Sequence, residues 1–222
     1  KSLVAMAFFS FLLLVQPSQA ETSEDFNELD LFLYGDLDNG NGNVSTLAPV
    51  SDTDTQSDCP QEANRLSWPG QDRQWTSVGS WVVDLETPGS IASGEHMFTI
   101  WANSTQGTVE DVQFRISVTI GGGTADGQAT SQSKTITDSS EEATKFEISF
   151  DLTNESFNQN PNDNDQLEVE IEYSGGDPGQ NPVTGGQSTE QIVILTSSID
   201  HPAGISEVMF NHFQADFPII SI

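Results

Sequence analysis

Val112-Gln113-Phe114-Arg115-Ile116-Ser117-Val118-Thr119-Ile120 puts an apolar side chain at every second position. On a helix of 3.6 residues per turn those five side chains would scatter round the circumference. On a strand, where successive side chains point to opposite faces, all five share one face. The stretch reads as a half-buried β-strand. Phe146, Ile148, Phe150 and Leu152 alternate with Glu147, Ser149 and Asp151 in the same way, as do Leu167, Val169, Ile171 and Tyr173 with Glu168, Glu170 and Glu172.

Further strands are expected at 29–34, 78–85, 96–102, 190–196 and 205–210, divided by stretches rich in Gly, Asn, Asp and Pro that favour turns. No window beyond residue 20 carries a capped amphipathic helix. One-sided antiparallel strands must cover each other's apolar faces, so the expected fold class is all-β: a two-sheet antiparallel β-sandwich, jelly-roll-like, with about eight strands. Residues 36–67 hold few large apolar side chains and read as an extended or irregular lead-in. Residues 121–144, opening Gly121-Gly122-Gly123, read as a long hairpin loop.

The N-terminus reads as a secretory signal. Lys1 precedes an apolar run over 3–15, and small residues stand at Ser18 and Ala20, where a signal peptidase would cut. The run is too short to span about 30 Å of hydrocarbon at 1.5 Å per residue. The expected organisation is a signal at 1–20, a first strand and acidic Asn/Asp/Ser/Thr-rich lead-in at 21–67, a sandwich domain at 68–210, and a C-terminal segment or truncation at 211–222. The expected location is extracellular, at or near the cell surface. Three N-x-[ST] triplets, at Asn43, Asn103 and Asn154, suit an exported glycoprotein.

The chain has 34 acidic residues against 6 Lys plus Arg, a net charge of −28. That excess excludes a nucleic-acid partner, which needs clustered cations, and disfavours an anionic membrane surface. Self-repulsion of this size fits a saline habitat, where salt screens charge over about 8–10 Å or less. One cysteine, Cys59, rules out an intrachain disulfide framework and reads as a free or partly covered thiol.

Candidate chemistry is sparse. There is no Gly-x-Ser-x-Gly elbow, and His96, His201 and His212 are scattered, each reading as an ordinary surface or turn histidine. No catalytic residue is assigned. Calcium, which takes six to eight oxygen ligands, is the ion such acidic loops would hold. Asp36 and Asp38 lead one cluster of oxygen donors, and Asp163 and Asp165 belong to a second; a solvated Asx-rich turn would use the same residues. Trp68 and Trp75, in a loop, are candidate stacking platforms for a sugar ring, whereas Trp81 and Trp101 lie in strands and read as core. Glu168, Glu170 and Glu172 read as a solvated face that discourages edge pairing.

From Trp75 to Phe210 the order of segments resembles the C-terminal jelly-roll (galactose-binding-like) domain of X-Pro dipeptidyl peptidase and cocaine-esterase type hydrolases. Three segments carry the likeness. Trp81-Val82-Val83-Asp84-Leu85 runs through Gly94 to Phe98-Thr99-Ile100-Trp101-Ala102-Asn103-Ser104. Leu167-Glu168-Val169-Glu170-Ile171 precedes Gly176-Asp177-Pro178. Thr196-Ser197-Ser198-Ile199-Asp200-His201-Pro202-Ala203-Gly204-Ile205 resembles a closing His-Pro-Ser turn, with Ala203 where Ser is usual. The resemblance implies that catalysis in those enzymes resides in a separate α/β-hydrolase domain, to which nothing here corresponds. Composition and segment order also resemble short secreted proteins of marine archaea. Three readings follow. The first is a non-catalytic cell-surface binding or adhesion protein, with carbohydrate as its ligand and calcium as a structural ion. The second is a surface-layer or filament subunit, and the third an accessory domain of a secreted hydrolase. The sequence is neutral on self-association.

Overall fold

The computed structural model describes residues 26–35, 37, 42–59, 75–105, 108–137, 143–160, 164–174, 192–211 and 215–216. The expected signal at 1–20, Trp68, Asp36, Asp38, Asp163 and His212 lie outside them. The described chain forms fifteen strands: β1 (Asn27–Tyr34), β2 (Gly42–Ser45), β3 (Thr55–Asp58), β4 (Thr76–Leu85), β5 (Gly89–Ile91), β6 (Gly94–Ser104), β7 (Thr108–Ile120), β8 (Gly127–Thr130), β9 (Lys134–Thr137), β10 (Thr144–Leu152), β11 (Glu155–Phe157), β12 (Gln166–Ser174), β13 (Ile192–Thr196), β14 (Gly204–Asn211) and β15 (Ala215–Asp216). The fold is all-β and sandwich-like. Each of the eight expected strands coincides with an observed one, although 190–191 lie outside the described residues and β13 is a continuous apolar run, not an alternation. The other seven strands are two to four residues long and mostly polar, so no alternation announces them.

One layer is built on β4-β12-β7. Val169 lies between Trp81 and Val118, and Leu167 between Val83 and Ile120, so the apolar faces of three strands coincide. The other layer is built on β6, flanked along one edge by β10 and along the other by β13 and then β14. The layers are not separate sheets. β14 pairs with β1, β1 with β2, and β2 runs parallel to β4 through Gly42 and Asn43, making one continuous ladder. That parallel pair departs from the expected antiparallel plan.

The lead-in and the expected hairpin loop both contribute strands. Within 36–67, β2 and β3 pair with β4 and β13. Within 121–144, β8 and β9 follow each other along the free edge of β7. Between them Ser131 donates its N–H to Phe114 O (2.8 Å), and its Oγ accepts from Phe114 N (2.9 Å), bridging a break in the ladder. Asp111, at φ 57°, lies in the β7 bulge where the register to β9 shifts.

The core joins the two layers. Phe114 of β7 meets Phe146 of β10 edge to face, 4.9 Å between centroids. Trp81, Phe98, Phe157, Phe210 and Tyr173 are fully buried around them, each large apolar side chain stabilising the fold by roughly 1.5–3 kcal/mol. Two glycines are required by this packing. A Cβ on Gly42 would overlap the Trp81 indole, and a Cβ on Gly204, held at φ +154°, would overlap Leu31 O. Cys59 is free and fully buried, not partly covered; burial, then the charge of Asp58, pushes its thiol pKa up.

Candidate ligand-binding site

Strand parity decides what β6 presents. His96, Phe98, Ile100, Ala102 and Ser104 face the core, leaving Glu95, Met97, Thr99, Trp101 and Asn103 on the outer face. Trp101 is therefore not core, as its place in a strand suggested, but a half-buried outer residue. It forms one wall of a shallow trough of about 170 Å³ across the outer face of β10, β6, β14 and β1. Asp30, Phe32, Thr99, Lys145 and Gly204 line it as well.

The indole is fixed on several sides. Trp101 Nε1 donates to Pro202 O (3.1 Å), and the His201 ring packs edge-on at 5.0 Å. Lys145, directly opposite Trp101 in the β10–β6 register, holds its Nζ 5.8 Å from the ring centroid and 2.6 Å from Glu147 Oε1. The hydrogen bond and charge of Lys145 hold the exposed Glu147 carboxyl below its ordinary pKa.

His201 is set by a clasp from a distant part of the chain. Its Nδ1 lies 2.9 and 3.0 Å from the two Asp54 carboxylate oxygens, and its backbone N–H donates to Ser198 Oγ (3.0 Å). Ser198 Oγ donates to the same carboxylate. Ile199 N donates to Ser51 O (2.9 Å), tying the two segments once more. A serine, a histidine and an aspartate thus meet, but not as a nucleophilic relay. That chemistry needs the serine hydroxyl on the imidazole, whereas Ser198 is fully buried and its hydroxyl hydrogen goes to the carboxylate. The cluster instead fixes the turn that carries His201 and Pro202, and so orients Trp101. Asp54 and His201 stand 147 residues apart, and no local motif joins them.

The other expected sites fare differently. Trp75 is half-buried, and the Arg115 guanidinium sits 4.7 Å over its ring while pairing with Glu172 at 2.6 Å, so one stacking face is taken. Trp68 lies outside the described residues, as do Asp36, Asp38 and Asp163. The Asp165 side chain accepts Asn158 N–H (2.6 Å) while Asp165 N–H donates to Asn158 Oδ1 (2.9 Å), a reciprocal loop clasp. Among the described residues no group of three His, Cys, Asp or Glu converges as metal ligands would. Asn154 is exposed in the turn between β10 and β11. Asn43 and Asn103 are half-buried within strands, Asn43 between Tyr34 and Val82 and Asn103 opposite Val193. His96 is not a surface residue: it is 6 % exposed, packs against Phe150 at 5.9 Å, and neither ring nitrogen has a hydrogen-bond partner among the described residues.

Signals for Trp101 were present in the sequence. Phe98, Ile100 and Ala102 set the inward parity, and Trp101 is out of phase with it. The trough itself needs β14 and β1 beside β6, which parity within one strand does not show.

No protein-family model matches the sequence, and no curated protein sequence does. Solved structures do match in shape. An aminopeptidase from a marine sediment archaeon, Thaumarchaeota archaeon, superposes with a TM-score of 0.54 at 9 % identity, over 84 % of this chain and 37 % of that one. An α-amino acid ester hydrolase superposes with a TM-score of 0.53 at 13 % identity, over 82 % of this chain and 36 % of that one. The chain spans little more than a third of either protein. At these identities the likeness carries architecture: most of this chain has the shape of one part of a hydrolase.

Proposed function

We propose that the chain is a secreted, non-catalytic β-sandwich binding module of the accessory kind carried by X-Pro dipeptidyl peptidase-like hydrolases, with a jelly-roll arrangement and a carbohydrate ligand. The supporting observation is the match of 84 % of this chain to only 37 % of an aminopeptidase. The binding role is supported by an outer sheet face that holds an oriented aromatic side chain in a trough. Calcium belongs to the proposal through Asp36, Asp38 and Asp163 alone, since Asp165 is engaged with Asn158.

The test is turnover. Purified protein from residue 21 onward is expected to leave aminoacyl p-nitroanilides and p-nitrophenyl esters intact. An α/β-hydrolase domain encoded in frame with this chain, or beside it, is expected on sequencing the locus. Hydrolysis of either substrate by the purified chain, lost on His201→Ala, would overturn the non-catalytic reading.

A further inference from the structure

We infer that the Trp101 trough is a binding site for a neutral hexose ring within a longer saccharide; this rests on the binding-module reading above. Across the sheet Lys145 stands opposite Trp101, Thr99 opposite Gly204, and Gly204 opposite Phe32. Two aromatic side chains, Trp101 and Phe32, thus line a trough to which Gly204 gives only backbone, with Asp30 also in its lining. Lys145 Nζ stands over the Trp101 ring at 5.8 Å, leaving the opposite ring face for a ligand. Size limits the ligand. At about 170 Å³ the trough is smaller than the roughly 300 Å³ at which pockets engulf a drug-sized molecule. It holds one ring, with the rest of a chain lying over the surface.

Chemistry narrows the class further. A sugar ring offers an apolar C–H face to an indole and a rim of hydroxyls to polar groups. The trough provides both. Trp101 is held by Pro202 and His201 before any ligand arrives, so binding orders little. Asp30 accepts Glu207 N–H at one oxygen (2.9 Å); its second oxygen has no hydrogen-bond partner among the described residues and can accept from a hydroxyl. Charge argues against an acidic sugar. Lys145 is already paired with Glu147, and Lys134 donates to Lys145 O and lies over Phe146. The chain's net charge of −28 repels polyanions as a whole. Lys145 is the one cation among the described residues that line the trough, and Glu147 already shares its charge.

The experiment is calorimetric titration of the full secreted chain with cellohexaose, laminarihexaose and mannohexaose, and with hexagalacturonate as the acidic control, at 0.5 M NaCl. At least one neutral hexamer is expected to bind, with affinity reduced tenfold or more by Trp101→Ala and by Thr99→Trp. The second variant fills the trough from the outer face and leaves Trp101 in place; unchanged melting temperatures in either variant keep the result interpretable. Binding of hexagalacturonate alone, binding that survives both substitutions, or no binding by any hexamer would each overturn the site. If no hexamer binds and the chain is also inert toward esters and anilides, this site falls while the accessory-module reading stands. Ester hydrolysis would instead sink that reading.

Discussion

Gly42 lies directly against the indole of Trp81, so closely that a Cβ there would overlap the ring. The two residues share a register position in the parallel strand pair formed by β2 and β4. Trp81 is completely buried, so its ring cannot swing outward. Gly42→Ala is expected to destabilise the protein by about 1–3 kcal/mol, the usual cost of overpacking a filled interior. Urea denaturation checks this through a lowered midpoint at unchanged slope. An unchanged midpoint would mean that β2 does not hold Trp81 in place.

His96 carries two ring nitrogens into the core with no partner for either among the described residues. Replacing a buried, unsatisfied polar group with an apolar one of similar size removes its desolvation penalty, about 1–3 kcal/mol. His96→Leu is therefore expected to raise the melting temperature by several degrees, at roughly 2–4 °C per kcal/mol for a chain of this size. A lower melting temperature would show that the imidazole has an interior role.

Three buried acids govern the alkaline limb of stability. Burial raises the pKa of Cys59 above its ordinary 9.0, and those of Tyr34 and Tyr173 above 10.0; Asp58 adds to the rise at Cys59, and Cys59 to that at Tyr173. Each group binds its proton more tightly folded than unfolded. Its contribution is complete below the unfolded value and is lost as pH rises toward the folded one. Stability is thus expected to fall progressively from about pH 9 upward, Cys59 acting first. Equilibrium denaturation from pH 7 to 11 measures it, and Cys59→Ala is expected to flatten the early part of the fall. The same burial predicts that a thiol reagent modifies Cys59 at pH 8 only after denaturation.

The Asp54 clasp predicts a local effect at a distance. Ser198→Ala removes a buried donor from Asp54 and an acceptor from His201 N–H, costing about 1–3 kcal/mol. Because His201 packs on Trp101, the variant's tryptophan emission is also expected to shift to the red as the indole loosens. An unshifted spectrum in a destabilised protein would confine the clasp to a structural role away from the trough.

How far the fold was legible depended on whether each strand carried its own alternation. β7, β10 and β12 announce themselves because each buries one face over four or more turns of the pleat. β8 and β9 do not: Gly127-Gln128-Ala129-Thr130 and Lys134-Thr135-Ile136-Thr137 line an edge and take their order from the backbone of β7. For the site, parity alone was enough to turn Trp101 outward. The contacts that orient it come from Pro202, His201 and Asp54, which only the folded topology brings near. His96 was misread for the opposite reason. It is polar in an inward phase, and hydropathy there outweighed position.

The first described strand, β1, takes its longest ladder from β14, the second-last to appear in the chain. A polypeptide made from its N-terminus can cover part of one edge of 27–34 early, with β2, but must keep the other edge waiting until residues beyond 204 have emerged. Such closure of head on tail makes maturation slow and all-or-none. Nascent chains halted upstream of that point would be targets for holdases and proteases, not partly working molecules.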